Sequence, residues 1–424
     1  MRTLHFVVAT LLAGPAAAQG AGHANHVVGV NNNSGTSSPL FEIDRQAGVC
    51  TAISGLQMSG VSSVQLDPIN KEIWVGGAGG VGGVNNGQLR RVQLDGAFGV
   101  ASEVTHAVVA VGAPPAPRPI TGIAFDDDGN PVVTTRDSVV RVSRFGPSPA
   151  TTLLHQFATS SATSTAASAI CRDDGGNLYV GVSGSGDIWR LQKNPDCSYQ
   201  PAQRLGSVVG PTASNSATIT GLDFCPSDGQ LYWSTLGVGT GGRSFGTFAL
   251  PSGPAVAAGP GYQVISTNGL AYDVRADDFM VVDDTPSSLA WTVSKQFSTG
   301  GVCLIPQGPG DEINAIATGD LANAATRVLP SCQPVAGARF VLEAATTCPP
   351  GSVGGVFVGA PQLSLPFLTV AVGTVDKTGR LSARVPNVPW PGGLPAGVLT
   401  FVSGCFDPGS SSTTVGSVLP WPAN

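Results

Sequence analysis

The chain has 424 residues, of which only 11% are charged, and its formal net charge at pH 7 is −6. This balance excludes nucleic acid as an expected partner, because phosphates require clustered Lys and Arg. No segment after the N-terminus approaches about 20 uninterrupted apolar residues, so we expect no membrane span.

The first 18 residues have the order of a secretory signal. Arg2 is followed by the apolar run 4–12 and then by the small residues Ala16, Ala17 and Ala18, which match the charged, apolar and cleavage regions of such a leader. We therefore expect residues 1–18 to be a signal peptide. The mature protein is predicted to be secreted, either to the periplasm or to the cell surface and beyond.

The eight cysteines fit an exported protein, because that environment permits disulfides. Cys348 and Cys405 both fall near the C-terminus and form a reasonable pair. The connectivity of the other six cannot be deduced from their spacing.

Short apolar runs separated by many of the 57 glycines and 33 prolines predict strands joined by turns rather than helices. Six segments share a pattern of a polar residue, a small residue and a branched aliphatic, at intervals of 46 to 59 residues. The polar residues are Ser62, Thr121, Ser168, Thr220, Asn268 and Asn314. We call them the ring residues and expect each to lie on the first strand of a repeat.

Further strands follow most of these first strands in chain order. Second strands are predicted at 73–75, 132–133, 178–180, 231–233 and 280–282, and third strands at 88–92, 139–142, 187–191, 245–250 and 289–293. Fourth strands are predicted at 100–104, 152–157, 203–208, 262–266 and 302–305. Four antiparallel strands per repeat are typical of the blades of a β-propeller.

The two ends of the repeat region complement each other. Strands at 27–30, 40–44 and 50–54 precede the first full repeat, and the first strand at 313–317 has no partners after it. Joining them completes a sixth blade and locks the ring, since opening it would expose strand edges. The predicted fold is therefore all-β, with a six-bladed β-propeller over residues 19–330.

The blade sequences resemble a known group of propellers. Residues 120–133, Ile-Thr-Gly-Ile-Ala-Phe-Asp-Asp-Asp-Gly-Asn-Pro-Val-Val, and residues 169–180, Ala-Ile-Cys-Arg-Asp-Asp-Gly-Gly-Asn-Leu-Tyr-Val, resemble the TolB-like six-bladed superfamily. This superfamily includes NHL-repeat and gluconolactonase-like proteins. The resemblance implies the fold, but not the function, because the superfamily contains both binding scaffolds and enzymes.

The gluconolactonase-like members hold a divalent cation in the channel with acidic and Asn side chains. That resemblance implies Asp223, Asn268 and Asn314 as the corresponding ligands of calcium or another divalent cation. The Glu that these enzymes carry at the start of the first blade has no counterpart, because the region reads Ser62-Ser63-Val64-Gln65.

The ring residues allow two interpretations. Their side chains satisfy backbone groups and channel water where the first strands converge, or they form a neutral polar site for a small ligand.

Other motifs carry weaker signals for chemistry. Two G-x-G-x-x-G stretches, at 77–82 and 237–242, lead into strands and not into the helix that a dinucleotide site requires. Ser244, in a G-x-S-x-G match, lacks the expected elbow context. The acidic turns 126–130 and 173–177, and the pair Asp283 and Asp284, are interpreted as hairpins rather than calcium loops.

Residues 331–424 lack the repeat and are predicted to form a small β-sandwich. Strands are expected at 340–344, 355–358, 368–372, 381–385, 399–403 and 415–419. The segment is similar to modules that close secreted bacterial multidomain proteins.

The primary functional hypothesis is a non-catalytic scaffold without a cofactor that binds a protein or glycan partner. Gly- and Asn-rich loops such as 31–35, 76–87, 183–186 and 237–242 are candidate contact sites. The alternative is a metal-dependent hydrolase or lactonase that uses the channel, and a third possibility is a structural envelope component.

Overall fold

The structure is a computed structural model of the whole chain. It describes residues 25–31, 39–67, 70–78, 85–94, 99–112, 115–126, 129–144, 149–157, 166–194, 197–208, 218–236, 244–258, 262, 264, 267–273, 276–283, 288–306, 312–319, 326–330, 342–346, 348–349, 351–360, 365–375, 380–383 and 398–421. Outside these ranges lie the predicted signal peptide 1–18, the loop segments 32–35, 79–84 and 237–242, and the acidic residues Asp127, Asp128 and Asp284.

Residues 25–319 form repeated four-stranded antiparallel sheets, which are the blades of a β-propeller. The sheets consist of β1 (Asn25–Asn31), β2 (Leu40–Asp44) and β3 (Val49–Ala52) with β26 (Glu312–Gly319); β4 (Val61–Asp67), β5 (Glu72–Gly77), β6 (Gln88–Leu94) and β7 (Val100–Val108); β10 (Ile120–Phe125), β11 (Pro131–Thr135), β12 (Ser138–Val142) and β13 (Thr151–Gln156); β14 (Ala166–Arg172), β15 (Leu178–Ser183), β16 (Asp187–Leu191) and β17 (Gln203–Ser207); β18 (Thr218–Cys225), β19 (Gln230–Leu236), β20 (Phe245–Phe248) and β21 (Ala255–Ala257); and β22 (Thr267–Asp273), β23 (Asp278–Asp283), β24 (Leu289–Val293) and β25 (Thr299–Leu304). A short ribbon of β8 (Ala110–Val111) and β9 (Ala116–Pro117) follows β7.

The first strand of each sheet packs against the first strand of the next. The contacts run from β4 to β10, β14, β18, β22 and β26, and β26 returns to β4. This order is circular, so the first strands surround a common axis. Because each sheet lies between two others, its inner strands are buried on both faces. All six residues of β5 and all five of β11 are buried, for example.

The two ends of the repeat region are joined in one sheet, as the sequence predicts. β1 pairs antiparallel with β26, with Asn25 opposite Gly319 and Asn31 opposite Glu312. A disulfide between Cys50 in β3 and Cys303 in β25, with Cα atoms 5.8 Å apart, connects the outer strands of two adjacent sheets. The closing sheet is thus fixed at its inner edge by backbone pairing and at its outer edge by a covalent bond.

The predicted fourth strand at 262–266 is wrong. The strand that pairs with β20 is Ala255–Ala257, with Phe248 opposite Ala255. Tyr262 instead lies buried under the sheet, where its ring stacks on Phe245 at 5.2 Å and its hydroxyl hydrogen-bonds the Thr267 hydroxyl. Tyr262, whose aromatic side chain is typical of a strand in the sequence, therefore packs in the core instead.

The C-terminal region forms two further sheets. One contains β27 (Thr326–Pro330), β28 (Leu342–Thr346) and β31 (Arg380–Ala383), and the other contains β29 (Val353–Ala360), β30 (Leu365–Thr374), β32 (Leu399–Asp407) and β33 (Ser412–Trp421). β27 contacts both β32 and β33. Cys348 and Cys405 are disulfide-bonded, as predicted, and pack with Val375.

Cysteine pairing is consistent with a location outside the cytoplasm, because disulfides persist in oxidising compartments. Cys197 is also disulfide-bonded, whereas Cys171 and Cys225 are free thiols in the buried interior. Within the described ranges, no helix has the length and apolarity needed to cross a membrane.

Candidate functional site: the axial channel

The ring residues share one backbone feature that the sequence pattern does not reveal. Each lies at a β-bulge, where the register of the first strand shifts and the ring residue has no partner opposite it. Thr121, for example, falls between Ile120, which pairs with Thr135, and Gly122, which pairs with Thr134. A bulge redirects a side chain away from the regular alternation of the strand.

The redirected side chains connect neighbouring sheets. Thr121 Oγ1 donates to the Ala167 carbonyl at 2.7 Å, Thr220 Oγ1 to that of Thr267 at 2.6 Å, and Asn314 Nδ2 to that of Val61 at 2.9 Å. Two more ring residues make the same kind of bond, Ser62 to Ile120 and Asn268 to Ile313. In all five cases the acceptor directly precedes the ring residue of the next sheet.

Ser168 makes a bond of a different kind. Its hydroxyl donates to the Gly181 carbonyl within its own sheet, at 3.2 Å. The Ser62 and Thr121 hydroxyls also lie within hydrogen-bond distance of carbonyl groups in their own sheets, those of Gly76 at 3.1 Å and Thr134 at 3.2 Å. These contacts give backbone carbonyl groups a side-chain donor, which is the structural role that the first of the two interpretations describes.

The small residue after each ring residue is explained by close packing between sheets. A Cβ atom on Gly221 would lie 2.5 Å from Leu270 Cβ, and one on Gly122 would lie 3.1 Å from Ile170 Cγ2. Gly269 has a positive φ of 133° as well, a conformation that side chains rarely allow. The polar, small and aliphatic pattern is therefore the sequence signature of contact between first strands.

The channel contains a cavity of about 360 Å³, lined by residues of all six strands β4, β10, β14, β18, β22 and β26. It extends from the ring residues to Asp174 and Pro226, which are exposed in the turns after β14 and β18. Four ring residues line it, namely Thr121, Ser168, Thr220 and Asn314, whereas Ser62 and Asn268 do not.

Asp223 is the carboxylate that lies along this cavity between the ring and the turns. Its Oδ2 accepts the backbone N–H of Tyr272 at 2.7 Å, and its Oδ1 accepts that of Phe224 at 2.9 Å. Burial raises the pKa of Asp223 to about 6, and the two N–H groups act in the opposite direction. The carboxyl group is therefore held in place by the backbone and changes its charge near neutral pH.

The residues implied as metal ligands do not share one environment. Asp223 and Asn314 line the cavity, but Asn268 does not and is buried. Both Asn side chains use Nδ2 to bind a neighbouring sheet. Within the described residues, no group of three or more His, Cys, Asp and Glu side chains is arranged to hold a metal ion.

Sequence reasoning missed most of the cavity wall. Asp223 lies three residues after its ring residue, and the residues at the same offset that also line the cavity are Gln65, Ala124, Cys171 and Ala271. One residue further on are Leu66, Phe125, Arg172, Phe224, Tyr272 and Thr318, all of which line it. Alignment of the six first strands by their ring residues would have identified both sets.

The acidic turns are hairpin structures. Asp126 Oδ1 accepts the backbone N–H of Asn130 at 2.8 Å, and Asp173 Oδ1 accepts that of Asn177 at the same distance. The Tyr179 hydroxyl donates to Asp173 at 2.9 Å. These carboxylates are committed to closing the turns, as the hairpin interpretation predicts.

Ser244 is placed in the core and not in a catalytic elbow. Its side chain is buried and hydrogen-bonds the carbonyl of Val264 at 3.0 Å and the hydroxyl of Thr267 at 2.8 Å. Its role is to tie the start of β20 to the segment that precedes β22.

No protein-family profile matches this sequence, and no curated protein sequence matches it either. Among solved structures, the chain is similar to the luciferin-regenerating enzyme, with 12% identity, a TM-score of 0.43, and coverage of 71% of this chain and 96% of that one. It is similar to a protein from Lactobacillus plantarum, with 12% identity, a TM-score of 0.43, and coverage of 70% and 99%. It is also similar to apo AztD from Citrobacter koseri, with 12% identity, a TM-score of 0.34, and coverage of 69% and 88%.

Proposed function

We propose that the chain is an exported six-bladed β-propeller that acts as a non-catalytic binding scaffold, with its ligand cavity in the axial channel. The circular order of contacts between first strands supports six blades. The two C-terminal sheets, from β27 onward, are proposed to form the accessory β-sandwich.

One observation carries the non-catalytic assignment. The ring residues that converge on the channel are used by the fold, because five of them bind the neighbouring sheet. The hydroxyl and amide groups of the ring residues do not titrate near neutral pH, so they would supply no general acid or base. What the channel offers instead is a shaped cavity of about 360 Å³, within the range of roughly 300 to 1,000 Å³ that small-molecule sites occupy.

A metal-dependent lactonase is the second candidate, because Asp223 and Asn314 line the same cavity. Calcium or another divalent cation would require several oxygen ligands at once, and of these the cavity would supply the Asp223 carboxylate and the Asn314 Oδ1. A protein or glycan partner for the outer loops stays a prediction, since Asn32 and residues 237–242 lie outside the described ranges.

Elemental analysis combined with a lactone and ester panel separates these functions. We expect the purified mature protein to carry no stoichiometric divalent metal and to hydrolyse the panel at the rate of its Asp223→Ala variant. Bound calcium or zinc that is lost together with hydrolytic activity in Asp223→Ala would refute the scaffold assignment.

A further inference from the structure

The first strands carry chemically different side chains at the level of Asp223. Of the residues at this level that line the cavity, Ala124 and Ala271 are the smallest, and Gln65, Cys171 and Asp223 carry the longer side chains. Ala124 and Ala271 are buried in the apolar cores between neighbouring sheets. Among these five residues Asp223 alone carries a carboxylate, so the cavity is chemically asymmetric at this level.

The charges in the cavity are paired unevenly. Partial desolvation beside the channel raises the pKa of Asp174, although the residue is exposed in its turn, and the guanidinium of Arg172 acts in the opposite direction. The partners of Asp223 in the described part of the chain are two backbone N–H groups, from Tyr272 and Phe224. Asp223 therefore brings a negative charge into the channel that a ligand of opposite charge would neutralise.

Apolar and aromatic residues form part of the wall and suit an organic ligand, and polar residues such as Gln65 and Thr318 form another part. Phe125, Phe224 and Tyr272 line the cavity one residue beyond the Asp223 level, together with Leu66. Aromatic faces attract organic cations, and apolar side chains bury the carbon body of such a ligand. A divalent metal ion would find few oxygen ligands among these side chains.

We propose that the axial cavity binds a small organic cation, a primary ammonium group with a compact apolar body, which forms an ion pair with Asp223 and lies against Phe125 and Phe224. This inference rests on the proposed binding function and names the ligand class of that same site. Arg172 and Asp174, at the mouth of the cavity, carry opposite charges. The Asp223 carboxylate, deeper in the cavity, therefore determines which ligand charge is favoured.

Benzylammonium chloride, benzyl alcohol and sodium benzoate are matched probes of this site, because they share one ring and differ in charge. Titration calorimetry and ligand-observed NMR on the full mature chain should show benzylammonium binding in the millimolar range or tighter, at least tenfold more tightly than the other two. Asp223→Asn should weaken benzylammonium at least tenfold and leave benzyl alcohol unchanged. Asp187→Asn, which changes a partly exposed carboxylate on β16 that pairs with Arg204, is the control and should change neither.

A second readout uses the unmodified protein and does not depend on the folding of a variant. Benzylammonium affinity should fall between pH 7.5 and pH 5 as Asp223 is protonated, while Arg172 stays charged and the Cys171 thiol, whose pKa is raised by burial, stays neutral. Asp174 titrates in the same direction, so Asp174→Asn should retain most of this pH effect.

Three outcomes would overturn the inference. Benzoate could bind as tightly as benzylammonium, Asp223→Asn could leave benzylammonium affinity unchanged, or calcium chloride could displace the amine by binding at Asp223. Benzyl alcohol binding to the wild-type protein as tightly as benzylammonium would preserve the scaffold function and reject the ligand class, whereas turnover of the lactone panel would reject the scaffold function itself.

Discussion

The Thr121 hydroxyl donates to the Ala167 carbonyl at 2.7 Å, and Ala167 directly precedes Ser168, the ring residue of the next blade. This relationship recurs around the axis, so that a β-bulge in one blade supplies the bond that holds the following blade. Loss of one such donor should leave a poorly solvated carbonyl without a partner.

Thr121→Val tests this bond with a side chain of the same shape. We expect the free energy of unfolding to fall by about 1–3 kcal/mol, the cost of an unsatisfied buried polar group. Thr152→Val, at an exposed position of β13, should change it by less than about 0.5 kcal/mol. Urea denaturation followed by circular dichroism measures the free energy of unfolding of both variants. Equal losses would show that the bond between blades does not contribute measurably to stability.

Gly221→Ala tests the close packing of first strands. The added Cβ would lie 2.5 Å from Leu270 Cβ and 2.6 Å from the Leu270 backbone nitrogen, so one strand must move. Overpacking of this kind costs about 1–3 kcal/mol. Gly301→Ala is the matched control, because its nearest neighbour would be Trp291 at 3.8 Å. A Gly221→Ala protein as stable as this control would contradict the packing explanation.

Arg144 links two blades through a buried network. Its guanidinium pairs with Asp67 and Glu72 and lies 5.3 Å from the ring centroid of Trp74, with only 3% of the side chain exposed. Arg144→Met should cost about 3–5 kcal/mol, because it removes the buried cation that pairs with Asp67 and Glu72 and leaves Glu72 with the longer contact to Arg91 at 3.6 Å.

The matched control for Arg144 is Arg204→Met. Arg204 pairs with Asp187 at 2.8 Å, but 53% of its side chain is exposed, so the expected loss is less than about 1 kcal/mol. Thermal unfolding at pH 7 distinguishes the two variants, and a similar fall in Tm for both would argue against a structural role for the buried network.

Asp223 predicts a specific pH dependence of stability. Its pKa in the folded protein, about 6, exceeds the unfolded value of about 3.9, so folding favours the protonated form. The contribution of Asp223 is fully present below about pH 4 and is lost as the pH rises through 6. Asp223→Asn cannot ionise, so its stability relative to wild type should increase from pH 4 to pH 7.5 by up to about 3 kcal/mol.

Chemical denaturation at four or five pH values measures this difference, and other titrating groups cancel because both proteins contain them. The Asn side chain loses one hydrogen bond from the backbone at every pH, which shifts the whole curve but not its slope. A difference that does not vary with pH would mean that Asp223 is already solvated in the folded state.

The Cys50–Cys303 disulfide spans 253 residues of sequence. Replacing both cysteines by Ser should lower stability by about 2–5 kcal/mol, because the unfolded chain gains freedom. Hydrogen exchange should show faster exchange in β1–β3 and β25–β26 than elsewhere. The double variant Cys348→Ser, Cys405→Ser is the control and should leave exchange in those strands unchanged. Exchange that becomes faster to the same extent in all blades would show that the Cys50–Cys303 disulfide does not act locally.

Much of the fold follows from patterns along the chain. The strands Leu40–Asp44, Asp187–Leu191 and Leu289–Val293 have the predicted bounds, because polar-to-apolar changes and turn residues mark their ends. The joining of β1 to β26 follows from strands missing at one end and left over at the other. Tyr262 shows the limit of such patterns, since burial between sheets favours an aromatic side chain as strongly as a strand does.

The site was less predictable because its contacts join residues far apart in sequence. Asp223 accepts the Tyr272 backbone N–H across 49 positions, and Asn314 donates to the Val61 carbonyl across 253, and no local signal predicts such pairs. The ring residues were found by their repetition, but their bulges were not, because a bulge depends on the partner strand. The cavity wall around Asp223 combines residues from all six first strands, which the local sequence does not bring together.

The closed circle of blades underlies both the ring and the cavity, and engineered cross-linking tests it directly. Asn31 lies opposite Glu312 in the β1–β26 pair, so the double variant Asn31→Cys, Glu312→Cys should form an intramolecular disulfide, detected by peptide mapping without reduction. The control Asn31→Cys, Gln203→Cys pairs β1 with a strand of a different blade and should not. Absence of the first disulfide, or formation of the second in its place, would contradict the closure of the ring.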